Sequence, residues 1–162
     1  MNNIDKNTFL NINLKSLNKN YKLIKKRIRK GCIVAATVKA NAYGLGVDKI
    51  VPSLFKSGCK HFFVATTDEA VELRKMNKKI FIFILNGLVA KELKIIKKYN
   101  LIPVINNLSQ LKKIEHFQLK YKIQLKIALH FDTGMSRLGF DKIETKRLIE
   151  NRSKLIVYSN IF

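Results

Sequence analysis

The sequence predicts an α/β protein. The expected architecture is a partial (β/α)8 TIM barrel of about five to six βα units with parallel strands, preceded by a short N-terminal strand and helix. Three observations carry this expectation. Short, apolar, β-branched runs alternate with amphipathic stretches of helical period along the chain, the order produced by βα repeats with right-handed crossovers. Most of the runs are apolar throughout instead of alternating, as in strands covered on both faces. No G-x-G-x-x-G follows the first buried run, which argues against an open dinucleotide-binding sheet of similar length. A closed eight-unit barrel needs about 250 residues, and the chain has 162, so the expected barrel is incomplete.

Residues 9–14 alternate apolar and polar side chains and read as a half-exposed strand. Ser16 is placed to cap a helix in which Leu17, Tyr21, Ile24 and Ile28 recur at helical spacing. The basic run at residues 25–30 falls at the end of that helix, where cations favour the dipole. Residues 1–30 are thus expected as a leading strand and helix, and residues 31–162 as the barrel portion. Residues 32–38 form the first buried strand, which stops at Lys39. The next helix covers residues 47–57, with Ile50, Val51 and Leu54 on one face. Pro52 favours a late start for it, and Gly58 stops it. Residues 62–65 are a strand. Thr67 is expected to cap the following helix, with Asp68 and Glu69 at its positive end. Residues 80–85 are the plainest strand, and residues 89–98 a helix. Residues 101–105 are a strand in which Pro103 is awkward for a central position. Ser109 caps a helix carrying Leu111 and Ile114. Residues 123–131 are a strand, Asp141 opens a last helix, and residues 155–158 begin another strand.

Composition excludes several classes. An apolar fraction of 47% argues against disorder. No apolar run reaches the roughly 18 residues needed to cross a bilayer, and the first residues carry no signal-peptide core. A cytoplasmic, membrane-free protein is expected, with Cys32 and Cys59 as free buried thiols. The formal charge of +21 raises nucleic acid as a partner. However, the excess is mostly lysine spread over every expected helix, without the clustered arginine and exposed aromatics of such surfaces, so no nucleic-acid partner is expected.

Two stretches carry chemistry. Lys39 falls at the carboxyl end of a buried strand, where parallel α/β folds build active sites. Desolvation there favours a neutral amine able to form a Schiff base with an aldehyde. A lysine whose stem is buried and whose head snorkels to water is the plain alternative. The second stretch is His130-Phe131-Asp132-Thr133-Gly134-Met135-Ser136-Arg137-Leu138-Gly139-Phe140, which closes the long strand. In it Arg137 presents a permanent planar charge suited to a phenolate or carboxylate. An exposed arginine on a turn is the alternative reading, and His130 reads as a packed strand residue.

The string Val38-Lys39-Ala40-Asn41-Ala42-Tyr43-Gly44 closely resembles the pyridoxal-phosphate attachment segment of alanine racemases. Asp132-Thr133-Gly134-Met135-Ser136-Arg137-Leu138-Gly139 resembles a second segment of the same family, and weaker matches lie between. The resemblance runs from about Phe9 to Leu155 and is to the N-terminal barrel half. It implies a pyridoxal 5'-phosphate cofactor held as an aldimine on Lys39, with Lys39 also moving the α-proton of alanine on one face. It implies a phosphate contact from Tyr43, and Arg137 beside the cofactor's phenolic oxygen and the substrate carboxylate. The activity implied is the interconversion of L- and D-alanine for cell-wall supply by a homodimeric isomerase. His130 stands where the family often has a lysine modified to a carbamate. The family's later barrel strands and C-terminal β domain have no counterpart here, so the expectation is a truncated N-terminal portion of a racemase. The alternatives are a non-catalytic barrel that binds the cofactor and an inactive product of gene decay.

Overall fold

A computed structural model describes residues 9–151 of the chain. Its strands are β1 (Ala36–Thr37), β2 (His61–Val64), β3 (Phe81–Ile84), β4 (Ile102–Ile105) and β5 (Ala128–Leu129), joined in the order β1-β2-β3-β4-β5. All pairings are parallel. The helices are α1 (Leu14–Arg27), a short turn α2 (Lys39–Tyr43), α3 (Val47–Lys56), α4 (Thr67–Met76), α5 (Leu93–Lys98), α6 (Leu108–Tyr121) and α7 (Lys142–Glu150). A 3-10 turn, Ala90–Glu92, leads into α5. Sequential parallel neighbours, each reached through helical chain, make this an arc of a (β/α)8 barrel.

Several elements differ from expectation. Residues 9–13 join no sheet, and Leu14 already belongs to α1. Asn13 caps α1, its side chain accepting from Ser16 N at 2.9 Å, so Ser16 is the donor and not the cap. Thr66 and Asn107, not Thr67 and Ser109, cap α4 and α6. In each case the oxygen sits three residues before the amide it serves, as cap geometry requires. The expected strand at residues 32–38 narrows to Ala36–Thr37, and the one at residues 123–131 to Ala128–Leu129. The first of these runs is not the buried strand expected, since Cys32, Ile33 and Ala35 are exposed and only Val38 is buried, whereas in the second Leu125 and Ile127 are buried outside β5. Pro52 lies inside α3 without delaying its start, and Pro103 pairs with Ile84 within the sheet. Cys32 is exposed, while Cys59 is buried as expected. Asp141 caps α7, accepting from Glu144 N at 2.7 Å. Residues 155–158 lie outside the described residues.

Strand alternation builds two cores. Phe62, Val64, Ile82, Ile84 and Ile105 share the main cluster with Ile50, Val51 and Leu54 of α3, Leu73 of α4, Ile96 of α5 and Ile114 of α6. The opposite face of the sheet holds Phe83, Ile102 and Val104, packed with Phe63, Phe81 and Ala128. On that face the pairs His61–Phe81 and Phe63–Phe83 lie in register and stack at 4.8 and 4.7 Å between ring centres. Aromatic cross-strand pairs of this kind add to sheet stability.

Both ends of the strands are tied. At the amino ends, the Arg74 guanidinium donates to the carbonyls of Ile80 (2.8 Å), Tyr99 (2.9 Å) and Asn100 (3.0 Å), with a further bond to Lys78 (3.1 Å). One side chain thus joins the chain entering β3 to the chain entering β4. At the carboxyl ends, the third residue of successive helices reaches back to the preceding unit. Glu69 accepts from Ala40 N (2.6 Å), and Glu92 from Thr67 Oγ1 (2.8 Å). Gln110 donates to Asn86 O (3.4 Å), and Glu144 accepts from Leu108 N (3.1 Å). Gly87 makes room for one of these ties, because a Cβ there would overlap the Gln110 side chain.

Two stability predictions follow from these contacts. Arg74→Lys replaces a planar fork by a compact ammonium that cannot span both loops. The expected cost is about 2 kcal/mol in urea denaturation, and an unchanged midpoint would refute the staple. The second concerns His61, whose buried Nδ1 has no hydrogen-bond partner among the described residues. Burial, with Lys60 alongside, pushes the His61 imidazole below its ordinary value. Between that lowered value and about pH 6.5, the unfolded chain binds a proton that the folded chain refuses, so stability rises with pH there. His61→Phe should therefore lose less stability than the parent between about pH 7 and pH 5. Parallel losses would exclude His61 as the source.

Candidate functional site

The site begins where β1 ends. Val38 N donates to Phe63 O at 2.8 Å, extending the β1–β2 ladder by one residue. Lys39 then opens a turn that is left-handed. Ala40, Asn41 and Ala42 have φ of 51°, 53° and 54° with ψ near 50°, and Tyr43 follows at φ 55°. Each L-residue in this conformation costs roughly 1–2 kcal/mol, and consecutive ones in non-glycine residues persist only under tertiary constraint. Ala42 N bonds Val38 O and Gly44 N bonds Ala40 O, both at 2.9 Å, so the turn is internally closed. Its consequence is local. The turn folds Tyr43 back toward Lys39, whose Nζ lies 5.9 Å from the centre of the Tyr43 ring. Tyr43 is 62% exposed, so an amine and a phenol stand together at an open strand end.

Two side chains hold this turn from outside. Asn41 Oδ1 accepts from Val47 N at 2.8 Å, joining the turn to the start of α3. Glu69 does more. Its Oε1 accepts from Ala40 N at 2.6 Å, and its Oε2 accepts from Ala65 N at 2.7 Å and Thr66 N at 3.2 Å. A single carboxylate therefore ties the residue after Lys39 to the carboxyl end of β2. Charge-assisted bonds to backbone amides are the short, strong kind.

The second constellation sits at the other end of the arc. His130 N continues the ladder from β5 by bonding Ile105 O at 3.0 Å. His130 is hydrogen-bonded as well as packed: its Nδ1 lies 2.8 Å from Asn106 Oδ1. Asn106 is buried, and its Nδ2 donates to Leu85 O at 2.9 Å and Val104 O at 3.1 Å. That orients the Asn106 oxygen toward the ring, which assigns the hydrogen to His130 Nδ1 and leaves Nε2 as the acceptor of the neutral ring. His130 also lines a cavity of about 390 Å³ on the inner sheet face with Phe63, Phe83, Leu85, Val104, Ala128 and Leu129.

Arg137 is carried on a loop closed by Phe140 N donating to His130 O at 2.7 Å and Asp132 N donating to Phe140 O at 3.0 Å. Gly139 is required for that closure: its φ is 109°, and a Cβ would come within 2.8 Å of Asp132 N. Inside the loop Asp132 Oδ1 accepts from Gly134 N (2.9 Å) and Ser136 N (3.0 Å). These amides, Ser136 first, hold the Asp132 carboxyl below its ordinary value. Arg137 itself is exposed.

The structure thus brings Lys39 and Tyr43 together on one turn. It places Arg137 at the carboxyl side of β5, and among the described residues no hydrogen bond or ring contact links it to either. The arrangement offers a primary amine, a phenolic hydroxyl and, on a separate loop, a guanidinium. Sequence reasoning missed the bridging role of Glu69 and the Asn106–His130 pair. For Glu69 a signal existed, since Thr66-x-x-Glu69 is a capping-box spacing. Nothing local marks Asn106.

Comparison with known proteins places these residues in context. The family described as "Alanine racemase, N-terminal domain" matches residues 12–157. An alanine racemase of Rickettsia prowazekii is 45% identical over 148 residues, covering 90% of this chain and 36% of that protein. One from Rickettsia akari is 42% identical over 148 residues, covering 90% of this chain and 41% of its own length. Among solved structures, the Bartonella henselae alanine racemase with covalently bound pyridoxal phosphate superposes with a TM-score of 0.85 at 33% identity, over 93% of this chain and 44% of that one. The chain therefore spans about two fifths of the length of the relatives it matches. With its parallel βα arc and its Lys39 turn, the chain belongs to the alanine racemase N-terminal domain family.

Proposed function

We propose that this chain is the N-terminal barrel portion of a pyridoxal-phosphate-dependent alanine racemase, with Lys39 as the cofactor lysine. The observation that carries the reading is the strained turn that sets the Lys39 amine beside the Tyr43 phenol at the carboxyl end of β1. The donor set suits a phosphorylated aldehyde. The amine can bond the carbonyl carbon, the Tyr43 hydroxyl can donate to a phosphate oxygen, and the Arg137 fork can face a phenolic oxygen or a carboxylate. When bound, the cofactor supplies an electron sink for the substrate carbanion.

The residues of this chain supply position and one base. Lys39, standing at a strand end, holds or takes a proton at Nζ on one face of the substrate. Tyr43 fixes the phosphate end relative to that amine, because both belong to one turn. Racemisation needs a second proton-transferring group on the opposite face. We assign that group, and the homodimer contacts, to the part of the relatives that this chain does not span. Alanine is the substrate inferred, D-alanine for the cell wall the purpose, and the cytoplasm the setting. No helix among the described residues is long and apolar enough to cross a membrane. A second reading, cofactor holding without turnover, draws support from the exposed position of Arg137 and its lack of contact with the Lys39 turn.

Incubation with pyridoxal phosphate followed by borohydride should add one reduced adduct, located on Lys39 by peptide mass spectrometry and absent in Lys39→Ala. Labelling that persists in Lys39→Ala sinks the assignment. Incorporation of solvent deuterium at the α-carbon of alanine then separates the two readings: labelling without exchange favours holding alone.

The loop that carries Arg137 has its own pH dependence. The folded Asp132 carboxyl titrates below its unfolded value, so its hold on the loop is complete above roughly pH 5 and is lost as pH falls through the lowered value. The amide proton shifts of Gly134 and Ser136 should titrate together, with a midpoint below that of an ordinary aspartate near 3.9. A midpoint at or above that value would remove Asp132 as the loop's organiser.

A further inference from the structure

We propose that Glu69 is a positioning residue for Lys39: by clamping the Ala40 amide to the end of β2, it holds the left-handed turn that aims the lysine. The proposal rests on the cofactor reading of Lys39 given above and extends it to a residue outside the Lys39, Tyr43 and Arg137 set.

Distances separate this role from simple helix capping. A capping-box glutamate serves the N-cap amide, here Thr66 N. That bond is the longest of the three that Glu69 accepts, at 3.2 Å, and the reciprocal bond from Glu69 N to Thr66 Oγ1 is 3.4 Å. The two short bonds, 2.6 and 2.7 Å, go to Ala40 and Ala65, outside α4. Each carboxylate oxygen therefore faces a different strand end. Oε1 faces the residue after β1 and Lys39, and Oε2 faces the residue after β2.

The position of the Oε1 bond matters. Ala40 N belongs to the peptide that leaves Lys39, so fixing it fixes the Lys39 backbone and the first left-handed residue together. Ala40, Asn41, Ala42 and Tyr43 all hold φ between 51° and 55°, and Ala40 is the only one of the four amides that the hydrogen bonds tie to a carboxylate. Without that bond Ala40 relaxes toward an ordinary negative φ. Such a change re-aims Lys39 relative to Tyr43, because the turn sets both.

Glu69→Gln tests the clamp, since an amide can accept on one side only and presents an NH2 group to the other. Thr66→Ala is the control, weakening the α4 cap while leaving the carboxylate bridge. Two readouts are needed. In the cofactor-free chain, hydrogen exchange at the Ala40 amide should speed up in Glu69→Gln and stay at the parent rate in Thr66→Ala. With pyridoxal phosphate, borohydride-trapped labelling of Lys39 should need about tenfold more cofactor in Glu69→Gln and the parental amount in Thr66→Ala. Ala40→Gly added to Glu69→Gln should recover part of the labelling, because glycine takes positive φ without strain; a purely capping glutamate would give no such rescue. Where Glu69→Gln alone does not hold the fold, the double variant is compared with Ala40→Gly. Equal labelling of parent and Glu69→Gln overturns the positioning role alone. Failure of the parent to label on Lys39 overturns the cofactor reading and the proposal with it.

Discussion

The structure depends on carboxylate and amide side chains that reach from their own helices to hold the neighbouring unit, three of them at its backbone and Glu92 at the Thr67 hydroxyl. Glu69, Glu92, Gln110 and Glu144 each occupy the third position of a helix or helical turn, where a side chain ordinarily folds back on its own N-terminus. Here each reaches the preceding unit, Glu69 at the Ala40 amide, Gln110 at the Asn86 carbonyl, and Glu92 and Glu144 at the first residues of α4 and α6. In a parallel sheet the strands contact one another through ladders, but the connections at their carboxyl ends have no ladder. Those connections carry the residues proposed to hold the cofactor, so their positions depend on side chains that fix them. In this chain the N-terminal side chain of the next helix does so, one unit after another.

The arrangement also explains how a chain with 11 acidic residues against 32 basic ones uses its carboxylates. Surface ion pairs such as Asp48–Lys49 are exposed and contribute little. Glu69, Glu92, Asp132, Asp141 and Glu144 instead accept from backbone amides, where a negative charge meets an orphan donor at a helix start or loop. Arg74 performs the matching task at the opposite end, a cation serving backbone carbonyls. Lysines fill the outer helix faces, where their long stems cover apolar surface and their heads remain in water.

Strain is concentrated in the turn that carries the proposed cofactor lysine. The left-handed turn after Lys39 is costly for alanine, asparagine and tyrosine alike, and it brings no burial beyond Ala42. What it provides is direction: an amine and a phenol on one side of a strand end. The external bonds from Asn41 and Glu69 oppose relaxation of that turn, which is the expected relation between a strained site and the scaffold around it. The Arg137 loop is organised differently. Asp132, Gly139 and the Phe131–Phe140 bridge hold it, and Asn106 and His130 brace the strand end beneath.

The sequence by itself determined the class of fold, the order of the strands and helices, and the placing of Lys39 at a strand end. Hydrophobic period and turn residues are local signals, and parallel βα topology follows from their order. It also placed Tyr43 and Arg137 in loops, and it carried the resemblance that the comparisons bear out at the level of the family. It overstated the strands at residues 32–38 and 123–131 and supposed one at residues 9–14, because an apolar or alternating run does not name its ladder partners: Phe9, Leu10 and Ile33 stay exposed, while Leu125 and Ile127 are buried outside β5. It placed three caps a few residues off, since Ser16, Thr67 and Ser109 are acceptable caps until the backbone shows which oxygen faces which amide. Only the tertiary structure decided the left-handed turn, for no residue at 40–43 prefers positive φ strongly enough to announce it. Only the tertiary structure decided that Glu69 serves Ala40 as well as its own helix, and that Asn106 turns toward His130. Those contacts join residues 24 to 29 positions apart, and such distances are set by the closing of one βα unit against the next.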